Sequence, residues 1–185
     1  YFKEILFEES LNNFKINKLS LSSNYKINYI EEFNVDFLND NKKKNKILLK
    51  KNNKNYKLSG KFFDSTVLID QILESDNEGN FFDILNEFSS NIKISINKVF
   101  IDKTNYLNNL KGTLKFNKSK LKNLNLNANF LDDKKITFTI NTNQNNEKIT
   151  TLYSEYAKPL VKKYKFIKGF EEGYIDFYSL KKNNK

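Results

Sequence analysis

Asn123-Leu-Asn-Leu-Asn-Ala-Asn-Phe130, followed after a short connector by Lys135-Ile-Thr-Phe-Thr-Ile-Asn141, alternates apolar and polar residues without a break. Successive side chains of a strand point to opposite faces, so Leu124, Leu126, Ala128 and Phe130 share one face and four asparagines take the other. Ile136, Phe138 and Ile140 repeat the arrangement, with Lys135, Thr137, Thr139 and Asn141 opposite. This is the pattern of half-solvated antiparallel strands, and Leu131-Asp132-Asp133 between them suits a hairpin turn. Working outward, Leu114 and Phe116 lead into the same pattern, and Asn117-Lys118-Ser119 supplies another turn. Ile92, Ile94 and Ile96 form one face, while Val99 and Ile101 continue it one residue out of phase, which predicts a bulge at Asn97–Lys98. Nearer the start, Phe14/Ile16, Tyr25/Ile27/Tyr29 and Phe33/Val35/Phe37 alternate with polar residues.

Two stretches break the period of two. From Asp64, a good N-cap residue, Val67, Leu68, Ile72 and Leu73 fall on a helical stripe. In Ser154 to Lys165, Ala157, Leu160, Val161 and Tyr164 have i, i+3, i+4, i+7 spacing, with Pro159 acceptable only in the first turn. Phe81 to Phe88 is a third, weaker helical candidate. The order strands, helix, strands, helix, strand predicts an α+β chain. Its core is a curved, mostly antiparallel β-sheet, a β-groove or half-barrel, with two or three short amphipathic helices. The Asn- and Lys-rich run 39–55 is expected to be a polar loop or long hairpin around Ile47–Leu49.

Residues 1–185 read as a single β-rich segment. The chain begins at Tyr1 and its first residues already read as a strand, so we expect a piece of a longer protein. Its 38% hydrophobic and 15% aromatic residues supply a real core, which argues against wholesale disorder. There is no Cys and no His, which removes thiolate chemistry, the commonest general base and the commonest metal ligands. No phosphate loop, dinucleotide fingerprint or nucleophile elbow is present. Acidic pairs such as Glu31–Glu32 and Asp132–Asp133 are adjacent, so on a strand they point to opposite faces. No catalytic residue, metal or cofactor is therefore assigned. The net charge of +10 invites a nucleic-acid reading, but every cation is Lys, and the bidentate base and phosphate contacts typical of Arg are unattainable. The accompanying wealth of Asn, Ile, Phe and Tyr is what AT-rich codons favour, and the charge reads as a solvated face.

Three stretches resemble one family. Tyr56-Lys-Leu-Ser-Gly-Lys-Phe-Phe-Asp-Ser-Thr-Val-Leu-Ile69 is similar to a strand-to-helix element of the AsmA-like proteins, in particular their YhdP-like branch. Asn109-Leu-Lys-Gly-Thr-Leu114 resembles a strand start of the same region. Ser154-Glu-Tyr-Ala-Lys-Pro-Leu-Val-Lys-Lys-Tyr164 with Gly169 to Phe177 resembles the closing helix and the strand after it. Ala157, Leu160, Val161, Gly173 and Ile175 stand at matching positions. The resemblance spans about 56–180 and is made of short structural motifs. Lys158 and Pro159 stand where small residues are usual, and Glu172 replaces one glycine of a usual pair.

The resemblance implies the periplasmic portion of a Gram-negative envelope protein anchored in the inner membrane. Such a protein offers an apolar β-groove for phospholipid movement to the outer membrane and supports envelope integrity. Its partners would be phospholipid acyl chains and, through the rest of the parent chain, the two membranes. On this reading the groove is lined by Ile92, Ile94, Ile96, Leu114, Phe116, Leu124, Leu126, Phe130, Ile136, Phe138 and Ile140. The alternative is a non-enzymatic structural or interaction module with a closed core, for example in outer-membrane protein assembly.

Overall fold

The computed structural model describes residues 1–66, 89–117, 120–145, 147–164 and 172–182. One curved, open sheet of eleven strands runs in sequence order from edge to edge. Its strands are β1 (Phe2–Glu9), β2 (Asn12–Leu21), β3 (Ile27–Leu38), β4 (Lys44–Asn52), β5 (Asn55–Asp64), β6 (Asn91–Phe100), β7 (Tyr106–Asn117), β8 (Lys120–Asn129), β9 (Lys135–Thr142), β10 (Lys148–Ser154) and β11 (Ile175–Lys181). Neighbours pair antiparallel except β5 and β6, which are parallel and joined through residues 65–90, a connection long enough for a crossover. The chain exposes 12707 Å², more than a third above the roughly 9,300 Å² of a compact protein of its mass.

Among the described residues the sheet carries one short α-helix, α1 (Lys158–Tyr164), together with a 3-10 turn at Leu131–Asp133. Of the two or three helices expected, this one lies among the described residues. The candidates at Val67–Leu73 and Phe81–Phe88 lie outside the described residues, although Asp64 does accept a hydrogen bond from the Thr66 amide at 3.1 Å. The Ser154–Lys165 helix begins four residues late because Ser154 ends β10. There it is fully buried, and its hydroxyl donates to the Tyr156 carbonyl at 2.9 Å. Helical bonds start only at Ala157, whose carbonyl accepts from Leu160 and Val161, so Pro159 falls in the first turn. Ala157, Leu160 and Val161 are buried, and Leu160 joins the core cluster with Ile92, Ile94 and Ile96. The face that α1 covers is the inner face.

Tyr25 is a second correction. It sits in the β2–β3 turn at φ 60° and is 85% exposed, so the alternation it began in the sequence was coincidental. Run 39–55 contains β4 and both of its turns, with Asn45 buried where its side-chain oxygen accepts the Asp64 amide at 2.8 Å. At Asn97–Lys98 the inner face changes phase: Ile96 and Val99 are both buried while pairing with β7 keeps its register, and the facing Asn109 has φ 54°. Lys18, at φ 50°, marks a comparable change in β2, where Ile16 and Leu19 both contribute to the core. Tyr56 links strands two apart. From β5 its hydroxyl reaches over the end of β4 and donates to the Ile30 carbonyl on β3 at 2.9 Å, tying strands that are not neighbours.

The β3–β4 hairpin is pinned on its outer side. Lys44 and Lys46 place ammonium groups 2.5 and 2.8 Å from the two carboxylate oxygens of Asp36. Hydrogen bonds from these lysines hold the Asp36 carboxyl below its ordinary value. A carboxyl depressed in the fold stabilises it above the unfolded pKa of about 3.9, and that contribution disappears as pH falls through the folded value. Asp36→Asn is expected to lower Tm at pH 7 and to flatten its fall below about pH 4. Thermal melts across that range check this, and parallel curves for the two proteins would contradict it.

Candidate functional site: an apolar lane across the inner face

Register places residues of different strands in rows perpendicular to the chain direction. Ile5 lies opposite Ile16, Ile16 opposite Phe33, Phe33 opposite Leu49 and Leu49 opposite Leu58. The row continues through Ile94, Gly112, Leu126, Phe138 and Leu152 to Phe177 on the far edge. Every strand contributes one residue, and each except Gly112 brings an apolar side chain. Ten spacings of about 4.8 Å make this lane about 48 Å long, roughly three times the ~15 Å depth of one leaflet's hydrocarbon.

Exposure along the lane is graded. Ile94 is buried, most of the others are half-buried, and Phe177 is 47% exposed at the β11 edge. At the opposite edge Phe7, facing Phe14 and two residues along from Ile5, is 56% exposed. Phe14 in turn stacks edge-on with Phe33 at 5.2 Å. At Gly112 β7 approaches β8 so tightly that a Cβ would stand 2.0 Å from the Asn125 carbonyl oxygen.

The outer face is its polar counterpart. Lys57, Lys93, Thr113, Asn125, Thr139 and Thr151 lie opposite one another across β5 to β10. Asn123 donates to Asn141 at 3.0 Å, Thr137 donates to Asn127 at 3.0 Å, and the Thr139 and Thr151 hydroxyls meet at 2.7 Å. Two open clefts of about 710 and 470 Å³ are lined mainly by polar side chains, including Glu8, Asn34 and Asp36 in one and Lys61, Asn97 and Asn109 in the other. Neither touches the lane. The described residues hold no group of three acidic side chains close enough to share a metal ion.

The structure brings all eleven groove-lining candidates to the inner face. They divide by depth. Ile92, Ile94, Ile96, Phe116, Leu124, Phe130, Ile136 and Ile140 are buried at 8% exposure or less. Leu114, Leu126 and Phe138 are half-buried. Phe130 packs edge-on against Tyr156 at 5.5 Å, the geometry of a core contact. Leu126 and Phe138 belong to the lane, where Ile94 is the one deeply buried candidate.

Ile5, Ile16, Phe33, Leu49, Leu58, Leu152 and Phe177 complete the lane and were missing from the sequence-based set. The alternation around Ile16 and Phe33 marked them as one-faced, but only the pairing register aligns them with Leu126. No protein-family model matches the chain, and searches of curated proteins and of solved structures return no match.

Proposed function

We propose that the chain is a section of a lipid-conducting β-groove, of the AsmA-like kind its motifs resemble, in which phospholipid acyl chains travel along the inner-face lane. The parent protein would be anchored in the inner membrane and cross the periplasm toward the outer membrane. The observation that carries the reading is the apolar row from Ile5 to Phe177, continuous but for Gly112, with accessible aromatic rings near both edges. A closed core has no need to keep apolar residues in register up to an open edge, whereas a conduit does. Each methylene laid on such a surface contributes about 0.8 kcal/mol, so a chain of a dozen or more carbons is held without any directional bond. Passive conduction of this kind asks nothing of a general base or a metal.

A second reading, a structural or assembly module with a closed core, is favoured by the depth of Ile96, Phe130 and Ile140, each 3% exposed. The two readings separate on one experiment. Protein purified without detergent and measured by native mass spectrometry is expected to carry phospholipid on the conduit reading. A population free of lipid under the same conditions supports the module.

A further inference from the structure

We propose that the inner-face corner at Lys148 and Lys181 receives the phosphate of an anionic amphiphile, an inference that rests on reading the lane as an acyl path. A second inner row runs beside the first through Tyr56, Ile92, Leu114, Leu124 and Ile140. It turns polar at Thr150 and Ser179 on the last two strands. One further step along the same strands, about 7 Å away, Thr142, Lys148 and Lys181 lie opposite one another. Register is unbroken through β9, β10 and β11, so these side chains lie on the same face as Phe138, Leu152 and Phe177. Within about 14 Å the inner face therefore passes from hydrocarbon through hydroxyls to two ammonium groups. That gradient matches an amphiphile lying with its chain on the lane and its headgroup at the margin.

The electrostatics point the same way. Lys148 and Lys181 lie directly opposite one another on β10 and β11, which concentrates positive charge at this margin of the inner face. Partial burial and, secondly, the Lys181 charge hold the Lys148 ammonium below the ordinary lysine value. Thr142, Thr150 and Ser179 add neutral hydroxyl donors around the pair. Two point charges with hydroxyl donors suit an acceptor-rich phosphate, for which lysine is a common partner.

The test presents the full chain with phosphatidic acid or with diacylglycerol of the same acyl chains, each delivered from cyclodextrin, and with inorganic phosphate alone. Wild type is expected to bind phosphatidic acid about tenfold more tightly than diacylglycerol. The double variant Lys148→Gln/Lys181→Gln is expected to lose that preference while keeping its diacylglycerol affinity and its Tm. Equal binding of the two lipids by wild type, or a preference that survives in the variant, overturns the lysine assignment and leaves the lane standing. Tight binding of inorganic phosphate without any lipid preference also overturns it, since the corner then serves free phosphate. Failure of both lipids to bind removes the lane itself.

Discussion

Gly112→Ala is expected to cost about 3 kcal/mol of folding stability, the upper end of ordinary overpacking, and to lower Tm by about 10 °C. The added methyl would sit 2.0 Å from the Asn125 carbonyl oxygen and 2.8 Å from a Leu126 methyl, and the first of these is backbone. Backbone in a paired strand cannot swing aside as a long side chain can. The β7–β8 ladder must therefore open, next to a register shift it already carries between Asn108 and Lys111. Gly173→Ala is the control. It sits at φ 94°, where an L-residue is strained, yet a Cβ there meets nothing within 4 Å, so a cost of only about 1 kcal/mol is expected. Denaturant unfolding of both variants checks the contrast, and equal losses would show that close approach at Gly112 has no special weight.

Leu126→Asp and Phe138→Asp are expected to reduce phospholipid occupancy more than tenfold while leaving most of the folding stability in place. Both positions are half-buried, so a carboxylate there keeps part of its hydration while the lane is empty. An acyl chain laid over it strips that water, and the loss of two or three methylene contacts alone is worth about 2 kcal/mol. Phe130→Ala should behave in the opposite way. Phe130 is 3% exposed and packs on Tyr156, so truncation is expected to cost about 3–5 kcal/mol of stability. Lipid counted per folded molecule should be little changed in that variant. Thermal melts paired with lipid extraction separate the two effects. If the aspartate variants lose lipid only in proportion to unfolding, the lane has no role of its own.

The C-terminal half of the sheet was legible because its strands keep strict alternation: Leu124, Leu126 and Phe138 needed only a period of two to be assigned a common face. The phase change at Asn97–Lys98 was legible for the same reason, but pairing keeps its register on both sides of β6, so the bulge expected there is not what produces it. The N-terminal half hid its register. Lys18 adopts a left-handed conformation in mid-strand, and nothing in a lysine side chain announces it. Polar composition left β4 open between loop and hairpin: Asn45 reads as loop, yet its amide is satisfied by the Asp64 amide proton and the Lys43 carbonyl, which lets it be buried. Ser154 misled in the other direction: the helical stretch was expected to begin at it, and here it closes a strand. The lane itself was not legible at all, because single-strand periodicity assigns faces, whereas rows follow only from the pairing register.

The most direct test of the lane is a cross-linking map. Phospholipid carrying a photoreactive group at the end of one acyl chain is loaded onto the chain, irradiated, and the modified peptides are located by mass spectrometry. The account expects adducts spread along the row, on the strands bearing Ile16, Leu49, Leu126 and Phe177, with none on the outer-face positions Lys93, Asn125 and Thr139. Adducts confined to the outer face, or clustered at a single edge with the middle of the row untouched, would contradict it.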